Sequence, residues 1–208
     1  MPHLEVNNLK KQFAGNVVFK DLNVNTQSAV LGIGGANGSG KSTFLQCICG
    51  LIRPTSGTVY WMIGSRRLDP LKDRSRLGMA APSIHLYEGF SCTENIRFLM
   101  KLRNMNVHDQ MISSLFDKVG LKGFDNRMYG KLSTGQQQRM KFASALFHDP
   151  DVLLLDEPGA NLDSEGRDLI RNLANEYRTQ EKMVIIASNR TDELDLCDEV
   201  VILEKDWN

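Results

Sequence analysis

The chain has 208 residues, 41% of them hydrophobic, which is enough for one or two cores in a single compact unit. Its 25 basic and 25 acidic residues cancel, which excludes nucleic-acid binding through bulk charge. The longest apolar runs are strand-length, so no segment is expected to span a bilayer, and no basic-then-apolar stretch opens the chain as in a secretory leader.

Residues 3–24 alternate apolar and polar, as in Leu4-Glu5-Val6 and Val17-Val18-Phe19-Lys20-Asp21-Leu22, and read as short antiparallel strands. Ala29-Val30-Leu31-Gly32-Ile33 then reads as a short buried strand. It feeds Gly35-Ala36-Asn37-Gly38-Ser39-Gly40-Lys41-Ser42-Thr43, which fits the phosphate-loop pattern G-x-x-x-x-G-K-[ST]. Phe44, Leu45, Ile48 and Leu51 recur at helical spacing beyond it. A strand entering a helix through such a loop aims backbone N–H groups inward at the helix's positive end. Triphosphate is the expected ligand, with Lys41 reaching the outer phosphates and the Ser42 hydroxyl holding Mg²⁺.

Pro54-Thr55-Ser56-Gly57 reads as a turn and Thr58-Val59-Tyr60-Trp61 as a strand. The basic group Arg66, Arg67, Lys72, Arg74, Arg76, interrupted by Asp69 and Asp73, is expected to be a solvated loop. From residue 88 the character changes, with helical periodicity over Glu94–Leu102 and His108–Val119. Ser133 is placed to cap a further helix with Met140, Ala143, Leu146 and Phe147 on its apolar side. Val152-Leu153-Leu154-Leu155 is continuous and apolar, as in a buried parallel strand. Arg167–Tyr177 reads as an amphipathic helix, and Val184–Ala187 and Val200–Leu203 as two more strands. The alternation implies an α/β core with a mostly parallel sheet, interrupted by a helical insertion. Met100, Met105, Met111, Met128 and Met140 fall in that insertion, and core filling is favoured over a docking role for them. Cys47, Cys49, Cys92 and Cys197 show no metal-ligand spacing and read as small buried hydrophobes in a reducing compartment. The histidines at 3, 85, 108 and 148 form no ligand pattern.

Asp156 and Glu157 end the Val152–Leu155 strand, where α/β sheets present ligands. Asp156 would hold Mg²⁺ through its water shell, and Glu157 would orient or deprotonate the water attacking the terminal phosphate. An apolar strand ending in Asp-Glu is a weak signal alone and a strong one beside the phosphate loop.

Leu132-Ser133-Thr134-Gly135-Gln136-Gln137-Gln138-Arg139 resembles the signature motif of ABC ATPases, L-S-G-G-Q. Leu153–Pro158 followed by Ala160-Asn161-Leu162-Asp163 is similar to that family's Walker B and D-loop run, and Phe13 lies where its adenine-stacking aromatic stands. The order of motifs covers essentially the whole chain. The resemblance implies a P-loop NTPase (RecA-like) core with a mostly parallel sheet, an N-terminal antiparallel β subdomain and an inserted helical subdomain carrying the signature. The expected parts are 1–82 with 148–208 for the β subdomain plus core, and 83–147 for the helical subdomain. ATP and Mg²⁺ are the implied ligands. The signature residues Ser133, Gly135 and Gln136, with Asp163, would grip the nucleotide held by the other subunit of a head-to-tail homodimer, or a heterodimer with another ABC subunit, formed on ATP binding.

Three positions depart from the family. Thr134 replaces the first signature glycine, adding a hydroxyl to a stiff side chain. The usual Mg²⁺-contacting glutamine aligns with Pro82, which has neither a side-chain donor nor an N–H, so a water or Ser83 would take its place. The usual phosphate-contacting histidine is Asn189, whose amide still senses phosphate but carries no positive charge. ATP binding with slow hydrolysis is therefore expected. The resemblance further implies a transporter ATPase subunit, cytoplasmic and peripheral on the inner face of the membrane, driving an integral-membrane permease subunit. Length and pattern look like small bacterial export ATPases of the heme-exporter type. The alternatives are a soluble ABC ATPase of the iron–sulfur assembly kind and a nucleotide-gated scaffold, and no nucleic acid is expected.

Overall fold

The computed structural model describes residues 1–204. The alternating N-terminal segment folds as two long strands, β1 (His3–Phe13) and β2 (Asn16–Thr26), joined at the tight turn Ala14–Gly15. They pair antiparallel with β4 (Ser56–Ile63) and β5 (Arg66–Leu68) in the order β2-β1-β4-β5. Shifts of register between Val6 and Gln12 let β1 and β2 run longer than the pattern of short strands suggests. Arg66 and Arg67, expected in a solvated loop, instead form the edge strand β5. Their side chains stay exposed, so the charge argument holds while the backbone pairs.

A second, five-stranded sheet is parallel and ordered β6-β7-β8-β3-β9. Its strands are β3 (Val30–Gly34), β6 (Leu77–Ala80), β7 (Val152–Asp156), β8 (Met183–Ala187) and β9 (Glu199–Ile202). Every residue of β3, β6, β7 and β8 is buried, which is why these segments read as unbroken apolar runs. Successive side chains along each strand enter opposite cores. Leu153, Leu155, Val184 and Ile186 pack with helices α2 (Cys92–Leu102), α3 (Asp109–Lys118), α4 (Thr134–Leu146) and α5 (Ser164–Thr179). Leu154, Ile185, Leu31 and Ile33 pack with α1 (Lys41–Ile48) and the antiparallel sheet. There the Trp61 ring is fully buried and its Nε1–H donates to the Ile48 carbonyl at 2.8 Å. Cys47, Cys49 and Cys92 are buried free thiols, and burial pushes each up to about 11. The insertion's methionines divide: Met100 and Met140 fill the core, whereas Met111 and Met128 are exposed.

Register places the functional loops. Ala80 pairs with Leu155, Asp156 with Ala187, and Ala187 with Ile33. The carboxyl ends of β6, β7, β8 and β3 are thus level, and the segments leaving them at Pro82, Glu157, Ser188 and Gly35 emerge on one edge.

Candidate active site

The loop from β3 into α1 wraps the start of that helix. Gly35 has φ 144° and Gly40 has φ 100°, backbone conformations that L side chains rarely adopt. A Cβ on Gly35 would lie 2.6 Å from the Leu203 carbonyl oxygen, so only glycine lets β3 turn this sharply. Lys41 opens α1 and is buried. Its Nζ donates to the Gly35 carbonyl at 2.8 Å and the Ala36 carbonyl at 3.2 Å, and lies 3.5 Å from Glu157 Oε1. One ammonium therefore joins the phosphate loop to the carboxylate at the end of β7.

One residue along, Ser42 Oγ donates to Asp156 Oδ1 at 3.0 Å. Asp156 is 2% exposed, and burial raises its pKa against the lowering pull of the Ser42 bond. A hydroxyl and a carboxylate, both oxygen donors, suit Mg²⁺, which takes few protein ligands and keeps its waters. Among the described residues no cluster of three or more His, Cys, Asp or Glu side chains offers a softer metal a site.

Glu157 follows at φ 47°, a left-handed conformation unusual for a non-glycine residue and costing about 1 kcal/mol or more. Its N–H donates to the Ala187 carbonyl at 2.8 Å, and Ser188 N–H donates to the Ile33 carbonyl at 3.1 Å. These bonds hold three strand ends together and aim Glu157 back toward Lys41. From β8, Asn189 reaches the phosphate loop, where its Nδ2 donates to Asn37 Oδ1 at 2.8 Å. Phe13 is 49% exposed at the end of β1, with Lys11 Nζ 4.5 Å over its ring. It partners Asn16 across the hairpin that β2 leaves toward Val18, against Gly40 of the loop.

The remaining candidates lie elsewhere on the chain. Ser133 caps α4 through a capping box, accepting from Gln136 N while Gln136 Oε1 accepts from Ser133 N. Ser133, Thr134, Gly135, Gln136, Asn161 and Asp163 line one hollow of about 390 Å³, whose lining includes no residue of Gly35–Thr43. The Asp163 side chain is engaged within its own chain: it caps α5 through Gly166 N at 2.8 Å and accepts from Arg139 Nη2 at 3.1 Å. The phosphate loop and the Ser133–Gln136 segment thus do not share a hollow within one chain.

The sequence profile of the ABC transporter family matches residues 19–160. The chain belongs to the ABC transporter family. A probable amino-acid ABC transporter ATP-binding protein of Haemophilus influenzae is 35% identical, over 98% of this chain and 84% of its own. The ATP-binding protein NatA of Bacillus subtilis is 30% identical, over 84% of this chain and 72% of its own. Among solved structures, the dimeric form of a bacterial ABC transporter cassette superposes with TM-score 0.85 at 26% identity, covering 96% of this chain and 94% of that one. The fold is accordingly that of ABC ATPases, an α/β P-loop NTPase with an added antiparallel sheet.

Two features of this ABC ATPase escaped the sequence reading. Gln46 follows Ser42 by one helical turn, and its Nε2 lies 3.4 Å from Ser83 Oγ, beside Pro82. Helical spacing from Ser42 was the available signal. Glu193 is buried although charged, and nothing in its sequence surroundings marks it.

Proposed function

We propose that the chain is the ATP-hydrolysing subunit of an ABC transporter and works as a nucleotide-sandwiching dimer on a separate membrane subunit. The observation that carries this reading is the convergence of Lys41, Ser42, Asp156 and Glu157, supplied by one parallel strand end and one helix start. Backbone N–H groups of Gly38–Thr43 and the Lys41 ammonium would cradle the phosphates. Ser42 and Asp156 would hold Mg²⁺, which when bound offsets charge on the β- and γ-phosphates. Glu157 would accept a proton from, or orient, the attacking water. Asn189, beside Asn37, would contact the terminal phosphate, and Phe13 would stack on the adenine.

Turnover by this site is read as slow. Pro82 offers no side-chain polar atom, and Asn189 offers a dipole where a charge would count for more in a water-excluded site. The nearby polar pair is Gln46 with Ser83.

The Ser133–Asp163 hollow supports the dimer, since it holds the N-terminus of α4 and stands apart from the chain's own phosphate loop. A membrane partner is supported by an apolar groove of about 510 Å³ between the insertion and the core, lined by Leu51, Ile84, Leu99, Leu102 and Phe147 among others. Leu102 is 65% exposed, and the mutually packed rings of Tyr87, Phe90 and Phe98 form a second apolar patch on the insertion. In this reading the pathway would belong to that partner, with this chain on the cytoplasmic face; no described helix is long and apolar enough to cross a membrane. Length and motif pattern favour a small bacterial exporter of the heme-exporter type. Pull-down from detergent-solubilised membranes tests the assignment. Recovery of an integral-membrane protein supports transport, and recovery of cluster-assembly proteins alone supports the iron–sulfur alternative.

A further inference from the structure

Glu193 lies on α6 (Thr191–Leu194), the short helix that begins just after Asn189. It is 3% exposed, and neither carboxyl oxygen makes a well-formed hydrogen bond among the described residues. The nearest cation, Arg190 Nε, is 3.5 Å from Oε1, but the Arg190 guanidinium is already paired with Asp192 at 2.8 and 3.0 Å. Burial raises the Glu193 pKa, opposed by the neighbouring Ser188 hydroxyl and Arg190. A carboxyl left so poorly satisfied destabilises the fold, so its presence calls for another role.

Its position supplies one. Gly159 is buried in the turn Glu157-Pro158-Gly159-Ala160, closed by the Ala160 N–H to Glu157 carbonyl bond at 3.2 Å. A Cβ built on Gly159 would meet Glu193 Oε1 at 2.0 Å. The carboxyl thus occupies the space a side chain at 159 would fill, and rests directly on the turn that holds Glu157 at its strained φ of 47°. We infer that Glu193 is a positioning residue, a wedge on α6 that braces the Glu157 turn and ties its geometry to the segment carrying Asn189. The inference rests on Glu157 being the hydrolytic residue.

Single-turnover ATP hydrolysis and ATP binding, measured on the full chain, test it. Glu193→Ala removes the wedge and lowers the hydrolysis rate about tenfold, as small misplacements of a reacting group do, with ATP affinity within about twofold of the parent. Gly159→Ala displaces the wedge and lowers the rate comparably. The double variant Gly159→Ala/Glu193→Ala refills the space from the other side and hydrolyses faster than either single variant. Glu193→Gln keeps the shape, holds the rate within about threefold and raises the melting temperature by removing a poorly paired buried charge. A purely structural role would lower stability and affinity together and would show no rescue. Parental rates in both alanine variants, or a double variant whose loss is the product of the two single losses, overturn the inference. A parent chain with no hydrolysis overturns the hydrolytic reading and this inference with it. Should Glu193→Ala fail to fold, the rates of Gly159→Ala and Glu193→Gln decide.

Discussion

At the scale of single residues, chemistry is concentrated where buried charge meets backbone constraint. Glu157 is held in an unfavourable φ by neighbouring strand ends and faces Lys41 at 3.5 Å. Glu157→Gln keeps size and shape but removes the proposed base. Phosphate release from ATP is expected to fall by about 10²-fold or more, with nucleotide affinity retained. Asn189 tests the other half of the account. If a missing charge limits turnover, Asn189→His raises the hydrolysis rate about tenfold, read in the same assay, and does so most below the pKa of the new imidazole. Much of this site was legible in the sequence, because the phosphate loop and the strand-end carboxylates are local patterns of residue type. Gln46–Ser83 and Glu193–Gly159 were not, because each joins residues distant along the chain with no local signal. Glu193 within Thr191-Asp192-Glu193 looks like any solvated acidic turn, and only the packing of α6 on Gly159 buries it.

At the scale of elements, three of the four fully buried strands, β3, β7 and β8, were legible almost to the residue. A segment covered on both faces needs no polar alternation, and β7 and β8 show none. Helix α4 was legible at its start through Ser133, and the structure adds Gln136, whose reciprocal bonds with Ser133 satisfy two donors of the first turn. Edge strands were harder. Arg66–Leu68 pairs on one side only, so its composition is set by solvent rather than by the sheet. The junction of α4 with β6 carries a pH-dependent prediction. His148 Nε2 lies 3.1 Å from the Leu77 carbonyl, and burial pushes the imidazole down from 6.5 to about 4. The folded state therefore prefers the neutral ring, while the unfolded chain takes up a proton near pH 6.5. Stability contributed by this site is full above that pH and is lost as pH falls toward 4, at up to about 1.4 kcal/mol per pH unit. Urea denaturation between pH 7 and 4 should show this slope, and His148→Gln should flatten it.

At the scale of the whole molecule, two sheets and an insertion share a layout that keeps the phosphate loop out of the Ser133–Asp163 hollow. The phosphate loop, Asp156, Glu157 and Asn189 emerge from one edge of the parallel sheet, while Ser133, Gly135 and Gln136 line a hollow that none of the loop residues enters. On the proposed reading such a chain would complete its grip on ATP only against a second cassette, and ATP in turn would hold the two together. Slow turnover would prolong that closed state, which an attached membrane subunit could then read as a conformational signal. The most direct test is the light-scattering mass of the Glu157→Gln variant, which is expected to bind ATP without consuming it. With Mg²⁺ and ATP the account predicts twice the 23.4 kDa chain mass, returning to a single chain when ATP is withheld or when Lys41→Ala is added. A variant that stays a single chain at saturating ATP, or a dimer indifferent to nucleotide, would contradict it.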